Sequence, residues 1–310
     1  MEFSLTVLGS SSALPTATRH PSAHVLNVNE KYYLIDCGEG TQMQLRKYRF
    51  RFQRIDHIFI SHLHGDHYFG LVGLLTSMIL LGRNKPLTIF APADLEALIE
   101  SQLEGIPAKH RFEVCYIPLD FTQPQIIHED KRVTVQSFPV QHRVPTCGFI
   151  FREQPRLRNV RKPALVAYEI PLLAIPGIKA GKDYITPDGE VIPNDQLTVD
   201  PPNPRSFAYS ADTQYLPELA DMLREVDLLY HEATFGDDLL ERAQKTRHTT
   251  ARQAASLAKA AGVKQLVLGH FSARYKTLEK LEQEAKEEFA EAQLAVEGTT
   301  YSVALETFKK

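Results

Sequence analysis

Between Ile58 and Gly70 the chain reads Ile-Phe-Ile-Ser-His-Leu-His-Gly-Asp-His-Tyr-Phe-Gly, which places His62, His64, Asp66 and His67 within six residues, just after a hydrophobic strand pattern and just before a helical one. Imidazole and carboxylate are ligand types for zinc, and neutral histidine is its commonest nitrogen donor. One residue between His62 and His64 lets both point the same way from an extended backbone, while Gly65 permits a turn that carries Asp66 and His67 towards a second point. That arrangement suits two metal ions rather than one. A lone histidine is more often a hydrogen-bonded structural group, but four ligand types at this spacing make the metal reading the stronger one. Each catalytic metal needs about three or four protein ligands, so the fold must bring further polar residues to the end of this strand from elsewhere. Candidates stand just past three other hydrophobic runs: His142 after Val133–Val140, Asp212 after Phe207–Ala211 and His270 after Leu266–Gly269. In layered α/β folds, sites gather at such strand ends.

The surrounding pattern is of that class. Short β-branched or aromatic runs predict strands over Glu2–Leu8, Ala23–Val28, Lys31–Asp36, His57–Ile60, Leu87–Phe90, Glu113–Ile117, Arg132–Phe138 and Cys147–Phe151. Asn29-Glu30 reads as a hairpin turn, and helices are predicted over Thr41–Tyr48, Leu71–Leu81 and Asp94–Leu103. Beyond Arg205 the pattern resumes with strands at Ser206–Ser210, Asp227–Tyr230 and Gln265–Gly269. A helix follows at Thr250–Ala261, with Thr249 as N-cap and Gly262 as stop, and another at Lys276–Glu291 with Leu278, Leu281, Ala285 and Phe289 inward. Repeated strand-then-helix order gives an α/β class, and the two strand-rich halves are expected to form the two sheets of one sandwich. Between Gln154 and Pro204 lie nine of the 19 prolines, a texture that resists ladders and helix interiors. We read it as an inserted arm on a single domain spanning 1–310.

A net charge of −3 excludes a global positive field, so any nucleic-acid contact must be local. Leu45–Arg54 carries Arg46, Lys47, Arg49, Arg51 and Arg54, and Arg152–Lys162 carries Arg152, Arg156, Arg158, Arg161 and Lys162; either is a phosphate grip or an ordinary solvated basic face. Three widely spaced cysteines, Cys37, Cys115 and Cys147, fit a reducing compartment, so a cytoplasmic location is expected. Glu2 stands where a secretory signal would carry Lys or Arg, and the longest mostly apolar run, Gly70–Gly82, is too short to span a bilayer and is expected to be a buried helix.

The motif His-x-His-x-Asp-His with later His, Asp and His resembles the metallo-β-lactamase fold, which implies a four-layer αββα sandwich. Ser61-His-Leu-His-Gly-Asp-His-Tyr-Phe-Gly-Leu, His231-Glu-Ala-Thr-Phe, Arg247-His-Thr-Thr-Ala and Gly269-His-Phe-Ser-Ala-Arg-Tyr narrow the resemblance to ribonuclease Z, the endonuclease that trims the 3′ end of precursor tRNA. The resemblance runs over the whole chain. It implies two Zn2+ per subunit, one held by His62, His64 and His142, the other by Asp66, His67 and His270, with Asp212 bridging. It also implies that Asp66 orients the attacking hydroxide and acts as base. His248 is then the general acid that protonates the leaving 3′ oxygen, with Glu232 raising its pKa and fixing its tautomer. His231 is read as ordering its loop. Asp36 and Gly38 shape the loop under the metals, Cys37 is a small buried residue, and His20, His24, His57, His110 and His128 carry no ligand spacing.

By the same resemblance the Pro-rich insertion is an exosite for tRNA and the protein is a homodimer acting on precursor tRNA, with no membrane partner. Two segments depart from the family's usual pattern. The arm tip reads Glu169-Ile-Pro-Leu-Leu-Ala-Ile-Pro-Gly-Ile-Lys-Ala-Gly-Lys rather than Gly-Ile-Pro-x-Gly-Pro, leaving Lys179 and Lys182 to meet phosphate. The loop after the first strand reads Pro15-Thr-Ala-Thr-Arg-His rather than Pro-x-Lys-x-Arg-Asn, retaining Arg19 but lacking the Lys and Asn. The alternative activities are a small-molecule phosphodiesterase or arylsulfatase on the same scaffold, and, in another class, a metal-binding or RNA-binding protein without catalysis.

Overall fold

A computed structural model describes residues 2–305. It divides into two compact units, one made of the residues up to Glu153 together with Arg205–Val303, the other chiefly of Gln154–Pro204.

The larger unit holds two seven-stranded sheets. The first runs, in spatial order, Thr300–Ser302, Phe3–Gly9, Ala23–Val28, Lys31–Cys37, Ile55–Phe59, Leu87–Ala91 and Val114–Pro118. The second runs Gln293–Leu294, Gln265–Gly269, Leu228–Glu232, Ser206–Tyr209, Thr146–Glu153, Val133–Val140 and Gln125–Glu129. Strand alternation builds the layers, because successive side chains point to opposite faces of a sheet. Leu5, Val7, Leu26, Tyr33, Ile35 and Phe59 face the core shared with the second sheet, where Phe59 meets Phe149 and Phe151 at ring distances of 5.5 and 5.2 Å. Their neighbours Leu8, Val25, Leu34, Ile58 and Ile60 face the other way, onto the helices Thr41–Lys47, Leu71–Leu80 and Leu95–Leu103. The outer face of the second sheet is covered by Ala251–Ala260 and Glu279–Glu288. This is the four-layer αββα sandwich that the sequence resemblance implies.

The sheets do not divide at the midpoint of the chain as expected. The three strands between Gln125 and Glu153 belong to the second sheet, and Thr300–Ser302 returns to pair with Phe3–Gly9 in the first. The Asn29-Glu30 turn does join Ala23–Val28 to Lys31–Cys37, with φ of 51° and 69°, the left-handed pair a two-residue hairpin requires. Three helix details differ from expectation. The N-cap of the Ala251 helix is Thr250, not Thr249, because Thr250 and Gln253 form a reciprocal capping box. The last helix is shorter, Glu279–Glu288, so Leu278 and Phe289 flank it. Leu71–Leu80 buries one face only, with Leu80 82% exposed.

The smaller unit is more ordered than its prolines predict. Pro163 and Pro176 lie in the first turns of Lys162–Ala167 and Ile175–Lys179, where a missing N–H costs nothing. Two short ladders, Asn159–Val160 with Thr198–Val199 and Tyr184–Ile185 with Val191–Ile192, close around Ala164, Ile170, Ile178, Tyr184, Ile192 and Leu197. Asn194 ties this unit together, its side-chain amide donating to the carbonyls of Ile178 and Lys182, each at 2.7 Å.

Candidate metal centre

Parallel pairing aligns the strand ends. Lys31–Cys37, Ile55–Phe59 and Leu87–Ala91 run parallel in the first sheet, and Ser206–Tyr209, Leu228–Glu232 and Gln265–Gly269 in the second. The turns that leave Ile55–Phe59, Ser206–Tyr209 and Gln265–Gly269 carry the candidate ligands other than His142, which follows the antiparallel strand Val133–Val140. Gly38 and Gly70 allow close approach here: a Cβ on Gly38 would lie 2.4 Å from the Asp66 carbonyl oxygen, and one on Gly70 would lie 2.0 Å from that of Gly38.

His62, His64, His142 and Asp212 form one group, and Asp66, His67 and His270 a second, with the polar atoms of each group within 4.8 Å of one another. Asp212 also reaches the second group, lying 3.5 Å from His67 Nε2 through Oδ2 and 3.3 Å from His270 Nε2 through Oδ1. In the first group His64 Nδ1 stands 3.1 Å from His62 Nε2 and 3.2 Å from His142 Nε2, and Asp212 Oδ2 lies 3.8 Å from His62 Nε2. A tetrahedron of ligands at about 2.1 Å from an ion has edges of about 3.4 Å, which is the scale of these separations.

The outward ring nitrogens explain the orientation. His142 Nδ1 donates to the Arg247 carbonyl at 2.9 Å, and the Arg247 guanidinium returns a bond to the His142 carbonyl at 2.7 Å. His67 Nδ1 donates to Asp36 Oδ2 at 2.7 Å, and His62 Nδ1 meets Ser61 Oγ at 3.0 Å. With those protons placed, the inward nitrogen of neutral His142 carries a lone pair, and that of His67 would offer one to a cation that displaces its proton. His67 Nε2 is buried with no hydrogen-bond partner, a costly state that a cation would relieve.

Charge agrees. Burial lowers the pKa of His62, His64 and His142 and keeps them neutral, the state that donates to metal. His67 lies well above its usual range: burial opposes this, but Asp212, Asp36 and Asp66 prevail, so the centre attracts positive charge. Burial tends to raise Asp66 and Asp212, yet the surrounding imidazoles hold both carboxylates well below the usual range and ionised. The residues present therefore fit divalent cations.

Next to this centre, His248 Nδ1 lies 2.7 Å from Glu232 Oε1. Burial works against its charged form, but the Glu232 carboxylate pushes its pKa up to about 9, so it holds a proton at neutral pH. His231 turns elsewhere, Nδ1 donating to the Glu232 carbonyl at 2.7 Å, and lies in neither group. His20 pairs with Glu297, His24 is buried between Tyr209 and Tyr230, and His57 lies tilted against His128; none of these joins the centre. The centre opens into a cleft of about 850 Å³, with Leu14, Phe69 and Phe235 among its apolar lining and Arg143, Arg242 and Arg274 among its cations.

Several supporting groups escaped the sequence reading. Ser61 and Tyr209 hydroxyls both donate to Asp36 Oδ2, the Ala13 N–H donates to Asp66 Oδ2 at 2.7 Å, and Thr234 binds Glu232. Ser61 and Thr234 sit inside the motifs themselves, which was the only signal available. A backbone donor such as Ala13 leaves none.

A family model described as Anti-Pycsar protein Apyc1 matches residues 3–154. A metallo-beta-lactamase fold protein from Bacillus subtilis superposes with a TM-score of 0.67 at 21% identity, covering 97% of this chain and 100% of that one. The short form of human tRNase Z superposes with a TM-score of 0.69 at 29% identity, again covering 97% and 100%. A ribonuclease Z of Phocaeicola vulgatus is 44% identical over 308 residues, 99% of either chain. With that identity along nearly its entire length, and with residues of His-x-His-x-Asp-His and His-Glu-Ala-Thr lining one cleft, the chain belongs to the ribonuclease Z family.

Proposed function

We propose that this protein is a zinc-dependent endoribonuclease that removes the 3′ trailer from precursor tRNA, leaving a 3′ hydroxyl on the tRNA and a 5′ phosphate on the trailer. The observation that carries this reading is the adjacency of the two ligand groups to the His248–Glu232 pair inside one cleft. His62, His64, His142 and Asp212 would hold one Zn2+, and Asp66, His67 and His270, with Asp212 between, the other. When bound, such a pair lowers the pKa of water and neutralises charge gathering on the phosphate in the transition state. Asp66, steadied by the Ala13 N–H, orients the attacking water; its low pKa suits it to accepting a hydrogen bond better than to removing a proton unaided. His248 donates its Nε2 proton to the leaving 3′ oxygen, while Glu232 anchors Nδ1 and favours the charged imidazole. The exposed ring of Phe69 and the cleft's arginines suit an unstacked base and its flanking phosphates.

We further propose that the Gln154–Pro204 unit is an exosite for tRNA and that the protein acts as a cytoplasmic homodimer. Among the described residues no helix is long and apolar enough to cross a membrane. The family relationship favours tRNA over the small-molecule phosphodiesterase or arylsulfatase alternative. The test is incubation of zinc-loaded protein of measured metal content with one precursor tRNA, with end mapping of both products and the mass in solution recorded. Two zinc ions per chain, a single cut at the trailer junction and a dimeric mass are expected. An intact precursor with two zinc ions bound defeats the reading.

A further inference from the structure

Thr234 is 2% exposed, and its hydroxyl lies where three functional groups meet. Oγ1 is 2.7 Å from Glu232 Oε2, 2.9 Å from His270 Nδ1 and 3.2 Å from His248 Nδ1. Counting protons leaves one arrangement. The Glu232 carboxylate only accepts, and it receives His248 Nδ1 at 2.7 Å and the Thr213 N–H at 3.1 Å on Oε1, and the Thr234 N–H at 3.0 Å on Oε2. Two oxygens 2.7 Å apart must share a proton, and the hydroxyl supplies it, so Thr234 donates to Oε2. Its oxygen then has only lone pairs to offer His270, and the proton between them belongs to His270 Nδ1. A metal ligand must be a neutral imidazole, which has one N–H. His270 Nε2, which faces Asp66 and Asp212 at 3.4 and 3.3 Å, is therefore left with its lone pair towards the metal groups.

We propose that Thr234 is a positioning residue shared by both halves of the reaction centre: one hydroxyl sets the tautomer of a metal ligand and steadies the carboxylate that orients the general acid. This rests on the reading of His270 as a ligand and His248 as the acid. The coupling is directional, running from His270 Nδ1–H to Thr234 to Glu232 and meeting there the proton of His248. Losing the hydroxyl strips His270 of its acceptor and Glu232 of a donor together. Outer partners of metal-bound histidine commonly carry about 10–100-fold in metal affinity or activity.

The experiment compares T234V, which keeps the shape and removes the hydroxyl, with T234S, which keeps the hydroxyl. Zinc affinity is read by chelator competition, independently of turnover. Turnover is read on precursor tRNA and on bis(p-nitrophenyl) phosphate, whose leaving group needs no proton. T234V is expected to bind the weaker zinc about 10–100-fold less tightly. At saturating zinc its kcat on precursor tRNA should fall at least about 10-fold with KM unchanged, and fall less on the activated ester, because only the tRNA leaving group needs the acid. T234S should restore both. Wild-type zinc affinity and kcat in T234V overturn the proposal, as does a T234S protein as impaired as T234V, since side-chain shape would then be at issue. T234A replaces T234V if a thermal melt shows the latter unfolded. H270A separates the two levels of inference. Wild-type zinc affinity in H270A refutes the ligand reading itself, whereas H270A losing zinc while T234V retains it refutes the role of Thr234 alone.

Discussion

The inward-facing imidazoles of His62, His67, His142 and His270 are aimed by what the other nitrogen does, and this is where single substitutions should be most informative. Asp36, fully buried with φ of 54°, collects His67 Nδ1, the Tyr209 hydroxyl and both the N–H and hydroxyl of Ser61. Asn tolerates the same left-handed backbone but offers one acceptor fewer, so D36N should weaken zinc binding about 10–100-fold and cost about 1–3 kcal/mol of stability. Chelator competition and urea unfolding of D36N measure the two effects. Replacing His248 by Ala should leave zinc content unchanged and lower kcat on precursor tRNA about 10²–10⁴-fold, with a much smaller effect on an activated ester, as judged by steady-state turnover of both. Away from the centre, His57 has its pKa pushed down to about 4 by burial, the largest effect, and by His128. The unfolded chain therefore binds more protons between about pH 6.5 and 4, and the stability that neutral His57 permits is lost as pH falls through that window. H57F, which forfeits the charge but keeps the ring beside Tyr33 and Phe90, should flatten the decline in Tm from pH 7 to pH 4.5. The candidate ligands were legible because their residue types stand at strand ends. Their supports were not, since Asp36 meets Tyr209 across 173 residues of sequence and Ala13 acts through its backbone.

At the scale of elements, legibility followed burial pattern. Phe3–Gly9, Ala23–Val28 and Thr146–Glu153 are almost wholly buried, and their apolar runs announce them. Gln125–Glu129 lies at a sheet edge with no fully buried residue, and Leu240–Thr246 buries only Ala243, so neither had an apolar stripe to read. The second matters to the site: it ends in Arg247, whose φ of 57° turns the chain so that its carbonyl holds His142 and His248 follows. The helix after it begins with the Thr250 capping box, so T250A should cost about 1 kcal/mol in chemical denaturation. A close junction between elements lies at Gly38, where a methyl group would press on the Asp66 carbonyl at 2.4 Å. Backbone cannot yield as a flexible side chain can, so G38A should displace the Asp66–His67 turn and lower zinc content even though no ligand is altered; metal analysis of the purified variant checks this.

For the whole molecule, a net charge of −3 means that affinity for a polyanion must come from local surfaces. Arg46, Lys47, Arg49 and Arg51 are exposed, while Arg54 is drawn to Glu30 at 2.9 Å. Within the inserted unit, Arg158 and Arg161 bond Thr198, which leaves Lys162, Lys179 and Lys182 better placed to meet phosphate than the full basic cluster suggested. The larger unit closes on itself where its two segments meet: Glu153 N–H donates to the Arg205 carbonyl at 2.8 Å, and the two side chains form a buried bidentate pair with both contacts at 2.8 Å. That closure argues that residues 154–204 can be replaced by a short Gly-Ser link without loss of the sandwich or its metal groups. The shortened protein should keep its zinc content and hydrolyse bis(p-nitrophenyl) phosphate within about 2-fold of the full chain, while KM for precursor tRNA rises at least about 10-fold, because several phosphate contacts contribute to such affinity. The rise should shrink as salt increases, since the contacts removed are electrostatic ones that salt already weakens in the full chain. Unchanged KM across the salt series would exclude the inserted unit as an exosite and move tRNA recognition to the rim of the cleft.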